Sequence, residues 1–445
     1  MKMRASAIGV PRGTMAALML SVFTVSLGFG IVLPSLPFLL ERLFGAGGDA
    51  RQISRATGLL TGLYTLSLFL FAPVWGRLSD RFGRRIILLI GLLGFSATML
   101  TFAFIDGLGA IYAERFLSGM FAAAVTPIAL ATIGDIAATK AARARRLTFV
   151  SLAGITGFLV GPMLGVFLSR GVKVLFPALG GIGALTIPLI GTAGLASLAA
   201  LAAVRTVPKA TMSSGGSRGE PIAPESDKWL VPRLLALAFV VSAGVGVFEV
   251  GLALRGKEQL GLTQYQIATM FTECSLVMLI VQSLVFSPWI KPETTRWLIA
   301  PAFAILAGGI FLVPHASTFT LMLAVIGAVA ASAGILSPIL TFWISSKAGR
   351  AQGAQLGKQT AAASLGAAFG SAAGGLLFDV SWLPDASFAI AAALSVAAVL
   401  LSLRLPKLLV AHGARQKTEP PAANSPRPRH SPVLGSRPPV PRTST

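Results

Sequence analysis

The densest chemistry in this chain lies in Gly76-Arg77-Leu78-Ser79-Asp80-Arg81-Phe82-Gly83-Arg84-Arg85, which places four arginines and one aspartate in ten residues. Apolar runs, Gly58–Trp75 and Ile86–Phe104, clamp it on both sides. Asp80 stands where the first run ends. At the end of a helix the backbone dipole is already negative, so this carboxylate needs a cationic or donor-rich partner. Arg84 and Arg85 are available locally, and Gly76 and Gly83 permit close approach and a tight turn. Two more acids, Glu249 and Glu273, lie well inside apolar runs. Ionisable groups in such surroundings mark proton or substrate pathways, or else pair with a cation such as Arg115 or Arg255 or with backbone. Arg115 is itself embedded in an apolar run, beside Glu114. Neighbouring positions on a helix point away from each other, so these two are not expected to pair. Either Arg115 faces a cavity or partner, or both side chains snorkel to the membrane surface.

Composition sets the class of scaffold that must hold these groups. Of 445 residues, 54% are hydrophobic and only 12% charged, and the mean hydropathy is +0.78. A soluble chain carries about twice that charged fraction. Apolar stretches of about 20 residues, each long enough to cross a bilayer, recur along most of the length. The alternating pattern of a membrane β-barrel is absent. The fold class is therefore all-α integral membrane.

Twelve transmembrane helices, α1–α12, are predicted at about 14–40, 55–75, 85–105, 109–136, 148–169, 180–204, 232–255, 266–289, 295–313, 318–345, 354–377 and 385–404. The apolar stretch before α6 is longer than one span needs. The net charge of +21 would suggest nucleic acid in a soluble protein. Here it follows the positive-inside rule, and no nucleic acid is expected. Lys2, Arg4, Arg12, the charged decapeptide, Lys140, Arg143, Arg145, Arg146, the segment 205–233 and the tail fall on one side, which places both termini in the cytoplasm. The other side carries Glu41, Asp49, Asp106 and Asp379, with Arg170 and Lys173 as a contrary signal. The expected organisation is a cytoplasmic tail 1–13, a six-helix bundle 14–204, a linker 205–231, a second bundle 232–405 and a disordered basic tail 406–445.

The two halves echo each other. Ser26-x-Gly28-x-Gly30 recurs as Ser242-x-Gly244-x-Gly246, and Lys140-Ala-Ala-Arg143 recurs as Lys347-Ala-Gly-Arg350. Gly157-x3-Gly161-Pro162-x2-Gly165 recurs as Gly366-x3-Gly370-Ser371-x2-Gly374. Three matches in order at nearly constant offset point to a duplicated six-helix unit, with any substrate site between the halves near the midplane.

The pattern Gly76-x-Leu78-x-Asp80-Arg81-x-Gly83-Arg84-Arg85 resembles the loop 2–3 signature of the major facilitator superfamily of secondary transporters. The resemblance extends over about 14–405. It implies a cytoplasmic latch at this loop that favours the outward-open state. The echo of Lys140–Arg143 ahead of α11 suggests the surface Asp80 closes against, the start of α11 near Arg350 and Gly353. Arg115 with Gly119 resembles the α4 pattern R-x3-G of the family, and Asp135 the acidic residue that follows it. Gly157, Gly161, Pro162 and Gly165 resemble the α5 motif of the twelve-helix drug/proton antiporter branch, although Val166 stands where a second glycine is usual. The predicted α1 carries no acid, only Ser21, Thr24, Ser26 and Ser35 with Pro34 and Pro37, so proton coupling falls to Glu249 and Glu273 in the second half.

The expectation is a monomeric carrier in the cell (inner) membrane, exchanging protons for a small amphipathic or organic molecule by alternating access. An importer or uniporter on the same fold, and a membrane scaffold or sensor without transport, are the alternatives. Neither a catalytic constellation nor a zinc-ligand cluster is apparent, so neither enzyme activity, cofactor nor metal is expected. Gly353-Ala-Gln-Leu-Gly357-Lys358-Gln-Thr360 has one residue too few for a P-loop and enters a membrane helix. Cys274 is the sole cysteine, which rules out an intramolecular disulfide.

Overall fold

The computed structural model describes residues 11–45, 49–136, 140–175, 186–208, 229–285, 292–347, 352–378, 380 and 385–405. Twelve helical spans are seen: α1 (Arg12–Phe44), α2 (Ala50–Phe82), α3 (Arg84–Phe102), α4 (Leu108–Ile136), α5 (Lys140–Leu175), α6 (Thr186–Thr206), α7 (Leu230–Glu258), α8 (Gln264–Val285), α9 (Thr294–His315), α10 (Phe319–Lys347), α11 (Gln352–Leu376) and α12 (Ala386–Ser402). Ten of them are long and apolar enough to cross a membrane by length and composition. The predicted linker core 209–228, the tail from 406, the first ten residues, Asp379 and Arg350 lie outside the described residues.

Two boundaries depart from expectation in ways that matter. The charged decapeptide is not a loop. α2 continues through Asp80 to Phe82 and α3 begins at Arg84, so Gly83 alone, at φ 93°, makes the turn. The helix leaves the apolar zone without unwinding, because Arg and Leu are good helix formers, and Asp80 near its end pairs with Arg84 across the Gly83 turn. α5 likewise runs from Lys140, well before the predicted start at 148. In α1 the prolines Pro34 and Pro37 introduce a short 3-10 turn, Leu33–Ser35, before the helix resumes at Leu36. At its start α2 is capped by Asp49, whose carboxylate accepts from the Arg51 N–H at 3.1 Å.

Several hydroxyls inside the spans turn back on their own helices, while those of Ser67 and Ser96 reach carbonyls of neighbouring helices. Ser21, Thr24, Thr57 and Thr61 each donate to the carbonyl four residues earlier, at 2.7–2.9 Å. In hydrocarbon this satisfies the hydroxyl without a partner helix. The apolar core divides in two. One cluster contains buried residues from Leu18 to Val207, the other from Leu230 to Leu405 with Leu33 of α1 added.

Alternation of the helices gives the bundle two ends. The basal end carries the start of α1, tied to the end of α6 by a Thr14 hydroxyl to Thr206 carbonyl bond of 2.6 Å, and the α2–α3 turn. The distal end carries the α1–α2 and α7–α8 connections. Near it α2 and α11 meet across the two halves at glycine. A Cβ on Gly58 would lie 2.5 Å from Gly375 Cα, and one on Gly62 would lie 2.9 Å from the Ala368 carbonyl oxygen. Backbones approach this closely only where side chains are absent.

Candidate functional site

At the basal end Arg84 collects the chemistry of the charged segment. Its Nη1 lies 2.7 Å from Asp80 Oδ1, and its Nε lies 3.1 Å from Asp135 Oδ2 at the end of α4. The Ser79 hydroxyl accepts a further bond from Nη1 at 2.5 Å. Asp80 and Asp135, separated by 55 positions, are thus joined through one guanidinium that is only 11% exposed. Arg81 stacks over the Phe82 ring instead, at 5.4 Å. Arg85, at the first turn of α3, is half-buried. Gly76 makes no close approach in this conformation, since an added Cβ would meet nothing within 4 Å. Its expected role in tight packing is not realised here, because the surface beside it is open.

The α5 motif has a definite geometric meaning. A Cβ on Gly157 would lie 2.3 Å from the Phe23 carbonyl oxygen, and one on Gly161 2.8 Å from that of Leu27. A Cβ on Gly165 would meet Ile31 at 3.3 Å, and one on Gly30 would meet Pro162 at 3.3 Å. The α5 helix therefore lies on the backbone of α1. The second half repeats this: Gly366 would meet the Phe239 carbonyl oxygen at 2.3 Å and Gly370 that of Ala243 at 2.1 Å. From Phe23 to Phe239 and from Leu27 to Ala243 the offset is 216 positions, and from Gly157 to Gly366 and Gly161 to Gly370 it is 209. The sequence echo is a packing echo.

In α4, Gly119 lets the helix sit on α2, where a Cβ would come 2.4 Å from the Tyr64 carbonyl oxygen. Arg115 and Glu114 are both buried, and they pair with each other. Arg115 Nε donates to Glu114 Oε2 at 2.6 Å and Nη2 to Oε1 at 2.9 Å. This corrects the expectation from helix geometry. The Cβ atoms do diverge, but both side chains are long enough to curl back into a two-point contact, which fork geometry rewards in a dry site. The guanidinium also lies 4.4 Å from the Phe102 ring and 5.7 Å from the Tyr64 ring. Neither residue snorkels.

Glu249 and Glu273 sit at matching depth. Each is nine residues from the distal end of its helix, counted from Glu249 to Glu258 in α7 and from Gln264 to Glu273 in α8. Among the described residues neither has an ion-pair partner. Glu273 Oε2 is buried without a hydrogen bond, and its Oε1 faces Gly327 of α10. Arg255, a suspected partner, is engaged elsewhere. It donates to the Gln259 side chain and to the Pro314 and Ala316 carbonyls, and lies 4.0 Å from Asp385. No group of three or more potential metal ligands occurs among the described residues.

The family model of the Major Facilitator Superfamily matches residues 18–358. The chain belongs to the major facilitator superfamily. Among similar proteins, "Multidrug resistance protein 2" of Bacillus subtilis is 28% identical over 373 residues, covering 82% of this chain and 88% of that protein. "Quinolone resistance protein NorA" of Staphylococcus aureus is 26% identical over 387 residues, covering 86% and 94%. Solved structures of the human organic anion transporter MFSD10 (TM-score 0.66, 19% identity, 88% of this chain and 99% of that one) and of a D-xylose–proton symporter (0.65, 16%, 88% and 97%) share the fold. As a member of this superfamily the chain is a multi-pass membrane transporter.

Residues that carry the distal contacts between the halves had no signal in any motif. Gln264 Nε2 donates to Ser35 Oγ at 3.0 Å, Arg170 lies 5.3 Å over the Tyr265 ring, and Lys257 Nζ lies 3.2 Å from Glu41 Oε2. Only the repeat register, applied position by position, could have paired Glu41 with Lys257.

Proposed function

We propose that this carrier exports small amphipathic organic molecules in exchange for protons, with Glu249 as the principal proton site and Glu273 as its neighbour. One observation carries the reading: among the described acids embedded in the spans, these two alone lack a cation. Glu114 is matched by Arg115, Asp80 and Asp135 by Arg84. A carboxylate at that depth without a cation is costly, so a proton or a positively charged part of the cargo must serve as its counterpart. Competition between the two for one site is the simplest form of exchange. The relatives named for multidrug and quinolone resistance support an exporter over an importer.

On this reading the arginine-rich basal end faces the cytoplasm. The conformation is then one whose outer end is closed by α2 against α11, with the Asp80–Arg84–Asp135 relay at the inner mouth. That relay holds α2, α3 and α4 as one piece while the halves rock, and Asp80, 59% exposed, is free to engage the other half when the inner mouth closes. The glycine seams fix α5 on α1 and α11 on α7, so that each half moves rigidly.

Vesicles containing the purified carrier test this directly. Imposed proton gradients of opposite sign should drive a quinolone in opposite directions. Equal fluxes under both gradients would show a uniporter.

A further inference from the structure

Glu41 and Lys257 occupy equivalent positions in the two repeats. The echoes that place α1 on α7 give an offset of 216, and 41 plus that offset is 257. Equivalent positions of two repeats touch only beside the pseudo-two-fold axis that relates them. A conserved duplication would set like charges together there, whereas this chain places opposite charges. Lys257 Nζ is 3.2 Å from Glu41 Oε2 across the halves and 3.3 Å from Glu258 Oε1 on its own helix. It also stands 5.7 Å from the Phe38 ring. The lysine side chain is 9% exposed, while Glu41 is 58% exposed.

We propose that Glu41 and Lys257 form a clasp that holds the distal end shut, with Glu258 as the standby partner that allows it to open. A buried cation stripped of its partner is strongly unfavourable. When the halves part, Glu258 stays with Lys257 because both belong to α7, and Glu41 returns to water, in which it is already largely immersed. Opening therefore costs only the attraction between Lys257 and Glu41. For one partly exposed pair that amounts to about a two- to fivefold bias in the ratio of closed to open. The clasp is strong enough to favour the closed state and weak enough to cycle. It rests on the fold and on alternating access, and is independent of which residue carries the proton.

The two carboxylates around Lys257 then have opposite effects, which makes the test specific. Hydrogen exchange would be measured on the full chain in lipid nanodiscs, in peptides covering 36–45 and 254–267. Glu41→Gln should raise exchange there about two- to fivefold. Glu258→Gln should lower it, because opening would now leave Lys257 alone. Exchanging the charges, Glu41→Lys with Lys257→Glu, should return exchange toward the wild-type value and keeps the test valid if a single variant misfolds. Wild-type exchange in Glu41→Gln, or exchange in Glu258→Gln equal to or above wild type, would overturn the proposal.

Discussion

Gly366 lies against the main chain of Phe239, so close that a Cβ there would stand 2.3 Å from the carbonyl oxygen. Gly157 stands in the same relation to Phe23 in the first half. Two contacts of equal length, placed at equivalent positions, show that the seam is a designed constant of the fold. Gly157→Ala and Gly366→Ala should each destabilise the purified protein by about 1–3 kcal/mol, the usual effect of forcing a methyl group into a packed contact. Gly76→Ala should not, since its added methyl meets open space. Thermal unfolding of the three variants in one detergent checks this, and equal midpoints would contradict it.

The Arg84 relay makes a graded prediction. Asp80→Asn leaves Arg84 its bond to Asp135, so transport should fall several-fold while insertion and expression are kept. Arg84→Gln strands both carboxylates and should lower transport further than either Asp80→Asn or Asp135→Asn. Uptake assays at matched membrane levels give the order. Unchanged transport in Asp80→Asn would reduce the segment to a determinant of topology.

For Glu114 and Arg115 the prediction concerns stability. Arg115→Met leaves a carboxylate buried without its cation and should cost about 3–5 kcal/mol. Removing both charges, Glu114→Gln with Arg115→Met, should recover much of that loss. The midpoint of thermal unfolding measures both. A double variant no better than the single one would mean that the arginine acts through the Phe102 and Tyr64 rings rather than through Glu114.

What the sequence revealed and what it hid follow from the range of the forces involved. The twelve spans were legible because hydropathy is a property of consecutive residues. The seam was legible because glycine at intervals of four leaves a written trace, and duplication wrote it twice. The extent of α2 was not: four arginines in ten residues look like a loop, yet charge does not unwind a helix once it leaves the apolar zone. The pairing of Glu114 with Arg115 was hidden because rules of helix spacing describe where Cβ atoms point and ignore the reach of long side chains. Arg255 looked like a partner for Glu249, but carbonyls of the α9–α10 connection and Asp385 had the stronger claim, being at its own level at the distal end. Glu41 read only as an acid of the outer side, and Lys257 belonged to no motif. Their relation is a matter of tertiary symmetry.

The most direct measurement concerns Glu249. In vesicles, Glu249→Gln should abolish accumulation of an amphipathic organic cation driven by a proton gradient, whereas Glu249→Asp, which keeps the carboxylate, should retain part of it. Equal unfolding midpoints of the two variants separate loss of the carboxylate from loss of folding. Gradient-driven accumulation at the wild-type level in Glu249→Gln would contradict the account.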